Sequence, residues 1–348
     1  MTRAIVVDDS NFVRAVLRQM MDRNGIDVVG EASDGSEVID LVRAHEPDVV
    51  TMDVEMPDVN GLEALEAIMA ERPTPVVMIS AHTEDGASTT LEALEKGAVD
   101  FISKPDGEVS VELSGFEDRI VETIETAART DPHAGPESPR TASTLSVETV
   151  PETPPTIVLG ASTGGPTVLE RIVSELPPEL NARVLVVQHM MEEFTAQFAD
   201  RLDAVGEYDV AEAEHRARVG PGEAVVAKGG YHLDVRSDTG EYLRVALTDD
   251  EKRHSVRPAI DPTMTSAAEV VEGDLVAAVC TGMGADGARG IEAVAEAGGA
   301  TIAQDEETSQ VFGIPQRAIE TGHVDSVVPA ERIASTIIDA LSEGDSDE

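Results

Sequence analysis

Cationic side chains and cysteine are scarce in this chain, and each shortage narrows what it can be. One cysteine, Cys280, excludes an internal disulfide framework and fits a reducing cytosol. Only 25 residues are basic, four of them lysine, against 68 acidic ones, so the formal net charge is −43. Binding to nucleic acid or to an anionic lipid surface relies on clustered Lys and Arg, and this balance disfavours both. No apolar run approaches the ~20 residues of a membrane-spanning helix, and no basic segment followed by an apolar run opens the chain. The expectation is a soluble, cytoplasmic protein without membrane insertion or a nucleic-acid partner. A surface this acidic repels itself in dilute solution. In molar salt the Debye length falls to about 3 Å, so the composition reads as adaptation of the whole chain to a concentrated-salt cytoplasm.

The 348 residues suffice for two domains with their own cores. From Arg3 to Val7 an apolar strand runs into Asp8 and Asp9, and a helical pattern follows through Phe12, Val13, Val16, Leu17 and Met20. Strand-like runs recur at Asp27 to Gly30, Asp48 to Met52, Pro75 to Ile79 and Val99 to Ile102, separated by amphipathic segments of helical period. Five strands alternating with helices predict a doubly wound parallel sheet whose ligand site lies at the carboxyl ends of the strands. The polar residues at those ends are Asp8 and Asp9, Asp53, Ser80, and Lys104 followed by Pro105. One such aspartate could simply cap a helix. Three carboxylates brought together repel unless a hard cation joins them, and an all-oxygen set suits Mg²⁺ with retained waters. A carboxylate flanked by Mg²⁺ and a lysine can accept a phosphoryl group, because those cations offset charge on the transferring oxygens.

The segments V-V-D-D-S, M-D-V-E-M-P-D-V-N-G and F-I-S-K-P make residues 3 to about 128 resemble response-regulator receiver domains. The resemblance implies Asp53 as phospho-acceptor, Asp8 and Asp9 as Mg²⁺ ligands together with Asp53 and the Glu55 carbonyl, and Lys104 as the phosphate-pairing cation. It further implies Ser80 and Phe101 as the switch residues that respond to phosphorylation.

After the helix-like Phe116 to Ala128, residues Thr130 to Pro155 hold six prolines among Ser, Thr, Gly and Glu with no sustained period, which predicts an extended linker. His133 within it reads as a solvated side chain. The α/β alternation then resumes, with strands expected at Thr156 to Leu159, Arg183 to Val187, Gly222 to Ala227, Tyr242 to Leu247 and Leu275 to Cys280. Helices are expected at Thr167 to Leu176 and Ala288 to Ala297, and short runs near Ala300 to Ala303 and Val324 to Val328 read as edge strands.

Pro155 to Pro166, P-T-I-V-L-G-A-S-T-G-G-P, has the outline of a nucleophile elbow, in which a strand-to-helix turn lifts Ser162 above the sheet. By itself the motif is equally compatible with a glycine-rich turn cradling a phosphate. His189 and Asp286 change the balance, since both also follow predicted strands and a parallel sheet gathers such positions on one rim. Ester or amide hydrolysis needs a weak nucleophile, a base for its proton, and a carboxylate that orients the base, and these three residues supply one of each. Their order differs from that of the α/β-hydrolases, but a triad is defined by geometry. His215, His232, His254 and His323 are competing bases, and each reads as a surface or packing residue because none follows a strong apolar strand as His189 does. Cys280 ends an apolar strand with no cation beside it, which favours a buried, unreactive thiol. The glycines of Thr281 to Gly287 allow close backbone approach, so the Met283 N–H could face a developing oxyanion.

G-A-S-T-G-G-P, V-V-Q-H-M, C-T-G-M-G-A-D-G-A-R-G, T-I-A-Q-D-E and V-F-G-I-P-Q-R-A-I make residues 156 to about 335 similar to the catalytic domain of chemotaxis protein-glutamate methylesterases, a family that joins this domain to a receiver. The resemblance implies Ser162 as nucleophile, His189 as base, Asp286 as its orienting partner, the Met283 N–H in the oxyanion hole and Thr163 lining the site. It implies hydrolysis of glutamyl methyl esters and deamidation of glutamines on methyl-accepting chemoreceptors, under control of a chemotaxis histidine kinase as phosphodonor. The chain departs from the family at Arg257 to Asp261, where serine often follows the proline, which bears on the substrate-side role of that loop. The resulting expectation is two α/β domains built on doubly wound parallel sheets: a receiver at 1–128, a linker at 129–155, a methylesterase domain at 156–340 and an acidic tail at 341–348. The competing expectation is a receiver fused to a non-catalytic protein-binding output. A binding module has no use for a base and an orienting carboxylate on one rim.

Overall fold

The computed structural model describes residues 1–80, 84–103, 113–130 and 153–343. The chain divides into two compact units, Met1–Gly135 and Pro136–Glu348. Lys104, His133, most of the Pro-rich segment and the last five residues lie outside the described residues.

In the first unit the apolar runs form β1 (Arg3–Val7), β2 (Asp27–Ala32), β3 (Val49–Asp53), β4 (Val76–Ser80) and β5 (Asp100–Ser103). They alternate with α1 (Asn11–Arg23), α2 (Val38–His45), α3 (Gly61–Glu71), α4 (Glu84–Glu95) and α5 (Leu113–Ala127). The strands lie in the order β2-β1-β3-β4-β5, every pair parallel. All five residues of β3 are buried, as expected of a central strand covered by helices on both faces. Helix starts are set by local chemistry. Ser10 caps α1 by accepting from the Val13 N–H, and Asn60 and Glu63 form a reciprocal capping box at α3. Turning the chain so soon after β1 and β3 leaves Asp8 and Asp53 at the sheet's carboxyl edge.

The second unit is built on β6 (Thr156–Ala161), β7 (Arg183–Gln188), β8 (Asp209–Glu212), β9 (Arg218–Val219), β10 (Glu223–Val226), β11 (His232–Asp238), β12 (Leu243–Thr248), β13 (Leu275–Val279), β14 (Ala300–Gln304) and β15 (Ser326–Val328). Its helices are α6 (Gly165–Glu175), α7 (Glu192–Val205), α8 (Ile260–Val270), α9 (Ala288–Glu296), α10 (Ile314–Glu320) and α11 (Ile333–Glu343). Seven strands pair in parallel in the order β15-β14-β13-β6-β7-β10-β8. The central β6 and β7 are buried throughout, which is why their sequences read as continuous apolar runs.

Three expectations need correction. The run at Ala300 to Ala303 is no edge strand: β14 pairs with β13 on one side and β15 on the other. The run at Tyr242 to Leu247 lies outside the parallel sheet, in a separate antiparallel sheet of order β11-β12-β9. Its alternating burial, inward at Leu243 and Val245 and outward at Arg244, is that of a sheet with one wet face. α11 continues through Leu341 to Glu343, across the boundary at residue 341 where an acidic tail is expected to start.

A buried ion pair joins the two sheets of this unit. Arg183 of β7 holds Asp238 of β11 through two bonds of 2.7 and 3.1 Å and reaches the Thr156 hydroxyl at 2.8 Å.

Candidate active site

Ser162 stands one residue past β6 and His189 one residue past β7, and the ladder pairs the preceding residues, Ala161 with Gln188. The two side chains therefore occupy the next register position on adjacent strands. The His189 N–H donates to the Ala161 carbonyl at 3.1 Å, and the Gln188 amide donates to the Ser162 carbonyl at 2.8 Å, which fixes the turn carrying the serine. Gly164 then adopts φ 75°, a left-handed conformation that lets α6 begin at Gly165. That tight turn starts the helix two residues earlier than its apolar period predicts.

The opposite wall comes from β13. The Ser162 N–H donates to the Thr281 carbonyl at 3.0 Å, and the Thr281 hydroxyl donates to the Thr163 carbonyl at 2.9 Å. A Cβ on Gly282 would stand 2.6 Å from the Ser162 Cβ, so only glycine allows this approach. The Gly282 strip is clamped from outside: its carbonyl accepts from Gly313 and Ile314, its N–H donates to Val311, and the Thr281 N–H donates to Gln304. This is the physical content of the segments T-I-A-Q-D-E and V-F-G-I-P, which hold the backbone around Met283 in place. Met283 itself is half-buried and Thr163 buried.

Asp286 lies on the loop between β13 and α9, farther from its strand than the sequence implies, and is 1 % exposed. Its Oδ2 sits 2.7 Å from His189 Nε2 and accepts from the Ile260 N–H at 2.6 Å. Its Oδ1 accepts from the Asp261 and Gly287 N–H groups, both at 3.0 Å. Burial pushes its pKa up, but the His189 bond and charge and the two N–H donors at the start of α8 outweigh that and hold the carboxyl below its ordinary value. An ionised carboxylate only accepts, so the ring nitrogen facing it carries the proton, and His189 Nδ1 is left with the lone pair. The set can thus take a proton at Nδ1 and stabilise the resulting imidazolium.

The loop Arg257 to Asp261 contributes the α8 start that holds Asp286. Two residues of this support are not evident in the sequence. Asp261 accepts from the Gly287 and Gly290 N–H groups, each at 2.9 Å, and His254 Nε2 lies 2.8 Å from Asp261 Oδ2 and 3.7 Å from Asp286 Oδ1. His254 is exposed, as its reading as a surface or packing residue expects, and its ring also belongs to the site's support. It follows no strand, so no local signal marks it. His232 is a packing residue as expected: buried, with Nδ1 accepting from the Ala259 N–H and Nε2 donating to the Glu251 carbonyl, and with its pKa lowered by that burial. Burial pushes the Cys280 thiol up to about 12, in keeping with an inert side chain.

In the first unit Asp8, Asp9 and Asp53 bring carboxylate oxygens within 4.8 Å of one another. Asp8 and Asp53 are buried and Asp9 is exposed, and the Asp53 carboxylate accepts from the Glu55 N–H at 3.3 Å. A hollow of about 560 Å³ opens beside them, lined by Asp9, Glu55, Asn60 and Thr89 among others. Ser80 and Phe101 fall on neighbouring strands, β4 and β5. The donor set, three oxygen ligands on one edge, fits a hard divalent cation.

Residues 157–337 match the CheB methylesterase family, and residues 4–112 match the response regulator receiver domain. The chain is 51 % identical over 347 residues to the protein-glutamate methylesterase/protein-glutamine glutaminase of Halobacterium salinarum, covering 98 % of this chain and 99 % of that one. It is 52 % identical over 347 residues to the protein of the same description from Natronomonas pharaonis, covering 97 % of each. The crystal structure of the Thermotoga maritima CheB methylesterase catalytic domain is 41 % identical with a TM-score of 0.51, covering 54 % of this chain and 98 % of that domain.

Proposed function

The chain belongs to the CheB methylesterase family, and on that premise we propose how its residues carry out receiver-controlled hydrolysis of protein glutamyl methyl esters and deamidation of protein glutamines. Ser162 Oγ attacks the side-chain carbonyl carbon while its proton passes to His189 Nδ1. The carbonyl oxygen becomes an oxyanion facing the Met283 N–H, with Thr163 lining the site. Asp286 stabilises the imidazolium through Nε2–H. Collapse of the tetrahedral intermediate breaks the bond to the methoxy group, which leaves as methanol with the proton from Nδ1; from glutamine the leaving group is ammonia. Water, deprotonated at Nδ1, then attacks the acyl-serine, restoring Ser162 and releasing a glutamate carboxylate.

The observation that carries this reading is the 2.7 Å bond between His189 Nε2 and Asp286 Oδ2 at the register position beside Ser162. The substrates are methyl-accepting chemoreceptors, and the phosphodonor to the receiver is a chemotaxis histidine kinase. Asp53 accepts the phosphoryl group; Asp8, Asp9, Asp53 and the Glu55 carbonyl would hold Mg²⁺, which when bound neutralises charge on the transferring oxygens. Lys104 pairs with the phosphoryl group, and Ser80 and Phe101 respond to it.

The test is methanol release from methylated receptor membranes together with labelling by a serine-directed phosphonate. Ser162→Ala should abolish labelling and lower turnover by ~10³ or more while the protein stays folded. Near-normal turnover in that variant would remove the serine mechanism.

A further inference from the structure

The antiparallel sheet β11-β12-β9 carries a concentration of positive charge at odds with the rest of the chain. Arg218 and Arg244 stand directly opposite each other in the β9–β12 ladder. Like charges in that position destabilise a sheet. Neither has an ion-pair partner among the described residues; both guanidinium groups instead lie over the Tyr242 ring, at 4.6 and 5.8 Å from its centre. That stacking restrains the two forks without neutralising them. Arg216, just ahead of β9, is exposed and likewise lacks an ion-pair partner among the described residues, while Arg236 is paired with Asp234 at 2.8 Å. A hollow of about 400 Å³ opens on this face, bounded by His215, Arg216, Arg236, Arg244 and Thr248. In a chain with 68 acidic residues and 25 basic ones, three cations left without a carboxylate on one face, Arg216 and Arg244 lining the hollow and Arg218 opposite Arg244 in the ladder, call for an outside anion.

The position of this face gives the anion's source. β12 ends at Thr248 and runs into the segment that carries His254 and then Ile260 and Asp261, the residues around Asp286. A protein-glutamate methylesterase acts on glutamyl side chains and leaves a carboxylate after each turnover, so a substrate segment bearing several such residues grows acidic as they turn over. A chain of net charge −43 repels such a polypeptide wherever its own carboxylates dominate. We propose that the arginine face of β9, β11 and β12 docks an acidic polypeptide segment of the substrate, its carboxylates engaged by Arg216, Arg218 and Arg244. This rests on the esterase reading of the Ser162 site. In molar salt long-range attraction is screened, so recognition depends on direct guanidinium–carboxylate contact, for which the planar arginine fork is suited and lysine is not.

The test uses the full-length chain in molar KCl and two synthetic peptides, each carrying one glutamyl methyl ester, flanked by glutamates in one and by glutamines in the other. In the triple variant Arg216→Gln, Arg218→Gln, Arg244→Gln, the preference for the glutamate-flanked peptide should fall by about fivefold to tenfold, chiefly through KM, the size expected for losing two or three solvent-facing charge pairs. An unchanged preference, or equal losses for both peptides, overturns the proposal. If the wild-type chain hydrolyses neither peptide, the esterase reading is what has failed. The face is then judged by fluorescence anisotropy of a labelled glutamate-rich peptide: weaker binding by the triple variant supports docking, and equal binding overturns it. A changed sedimentation coefficient, or lost binding to single-stranded DNA, with the peptide preference unmoved would assign the face to another occupant and also overturn it.

Discussion

Asp261 and Asp286 hold one another through the backbone: the Asp261 N–H donates to Asp286 Oδ1 at 3.0 Å, and the Asp261 carboxylate binds the N–H groups of Gly287 and Gly290, beside and beyond Asp286. The orienting carboxylate is thus set from the start of α8 as well as from its own loop. Asp261→Ala should let that loop drift and lower kcat by about 10²-fold, the cost of a misplacement near 1 Å, with KM little changed. His254→Asn should cost less, because Gly287 and Gly290 keep their acceptor. Steady-state kinetics on one ester substrate separates these outcomes, and an Asp261→Ala loss confined to KM would place Asp261 on the substrate instead.

Asp286 also links the site to pH. Its folded-state pKa lies below the ordinary value of 3.8, so its stabilising contribution is complete above that pH and is lost as pH falls through the lowered folded value. The difference in thermal stability between wild type and Asp286→Ala should therefore be largest near neutrality and shrink on the acid side. A difference that stays constant down to acid pH would show that the carboxylate's charge does not stabilise the fold. Asp286→Asn should be no milder than the alanine variant in activity, since its amide would place N–H donors among those of Ile260, Asp261, Gly287 and His189.

The Arg183–Asp238 pair predicts a stability effect away from the chemistry. Burial raises the Asp238 pKa, but the Arg183 hydrogen bonds and charge and the Gly240 N–H more than offset this and lower it. Removing one partner leaves the other charge buried, so Arg183→Met or Asp238→Asn should each cost about 3–5 kcal/mol. The double variant Arg183→Met, Asp238→Asn should cost clearly less than the sum. Urea denaturation at fixed molar KCl measures all three, and strict additivity would mean the pair is not coupled.

Much of this was legible from the sequence because a parallel sheet turns one-dimensional order into a rim. Ser162, Asp8 and Asp53 follow an apolar run immediately and His189 follows one after Gln188, and the structure places each at a strand's carboxyl end. Legibility fails where a residue acts from a loop or across a sheet. His254 and Asp261 are seven positions apart in a segment with no period, and their relation to Asp286 exists only once α8 docks. Gln188, Gln304 and the Val311 to Ile314 clamp stand within recognisable motifs, yet the bonds that give them a role connect separate strands. The misplacement of β14 at an edge has the same origin, since pairing order is a long-range property that a short apolar run does not encode.

The last expectation concerns control. Phosphorylation at the proposed acceptor, Asp53, would add charge and acceptor oxygens at an edge that already gathers Asp8 and Asp9, and it would influence Ser162, in a separate compact unit, only by biasing an equilibrium between two states of the whole chain. A coupling of about 1–3 kcal/mol corresponds to a change of roughly 5–150-fold in the population competent for turnover. Residues 153–348 alone should therefore release methanol faster than the unphosphorylated full-length chain, and phosphodonor with Mg²⁺ should raise the full-length rate toward that of the fragment. Asp53→Asn should stay at the basal rate under the same treatment, while keeping the reactivity of Ser162 toward a small phosphonate. The comparison must be made at one salt concentration, because screening alone alters any contact between acidic surfaces. Equal rates for the fragment, the full-length chain and the phosphorylated chain would mean that the receiver exerts no restraint on the esterase, and would confine it to recruiting the enzyme to its substrate.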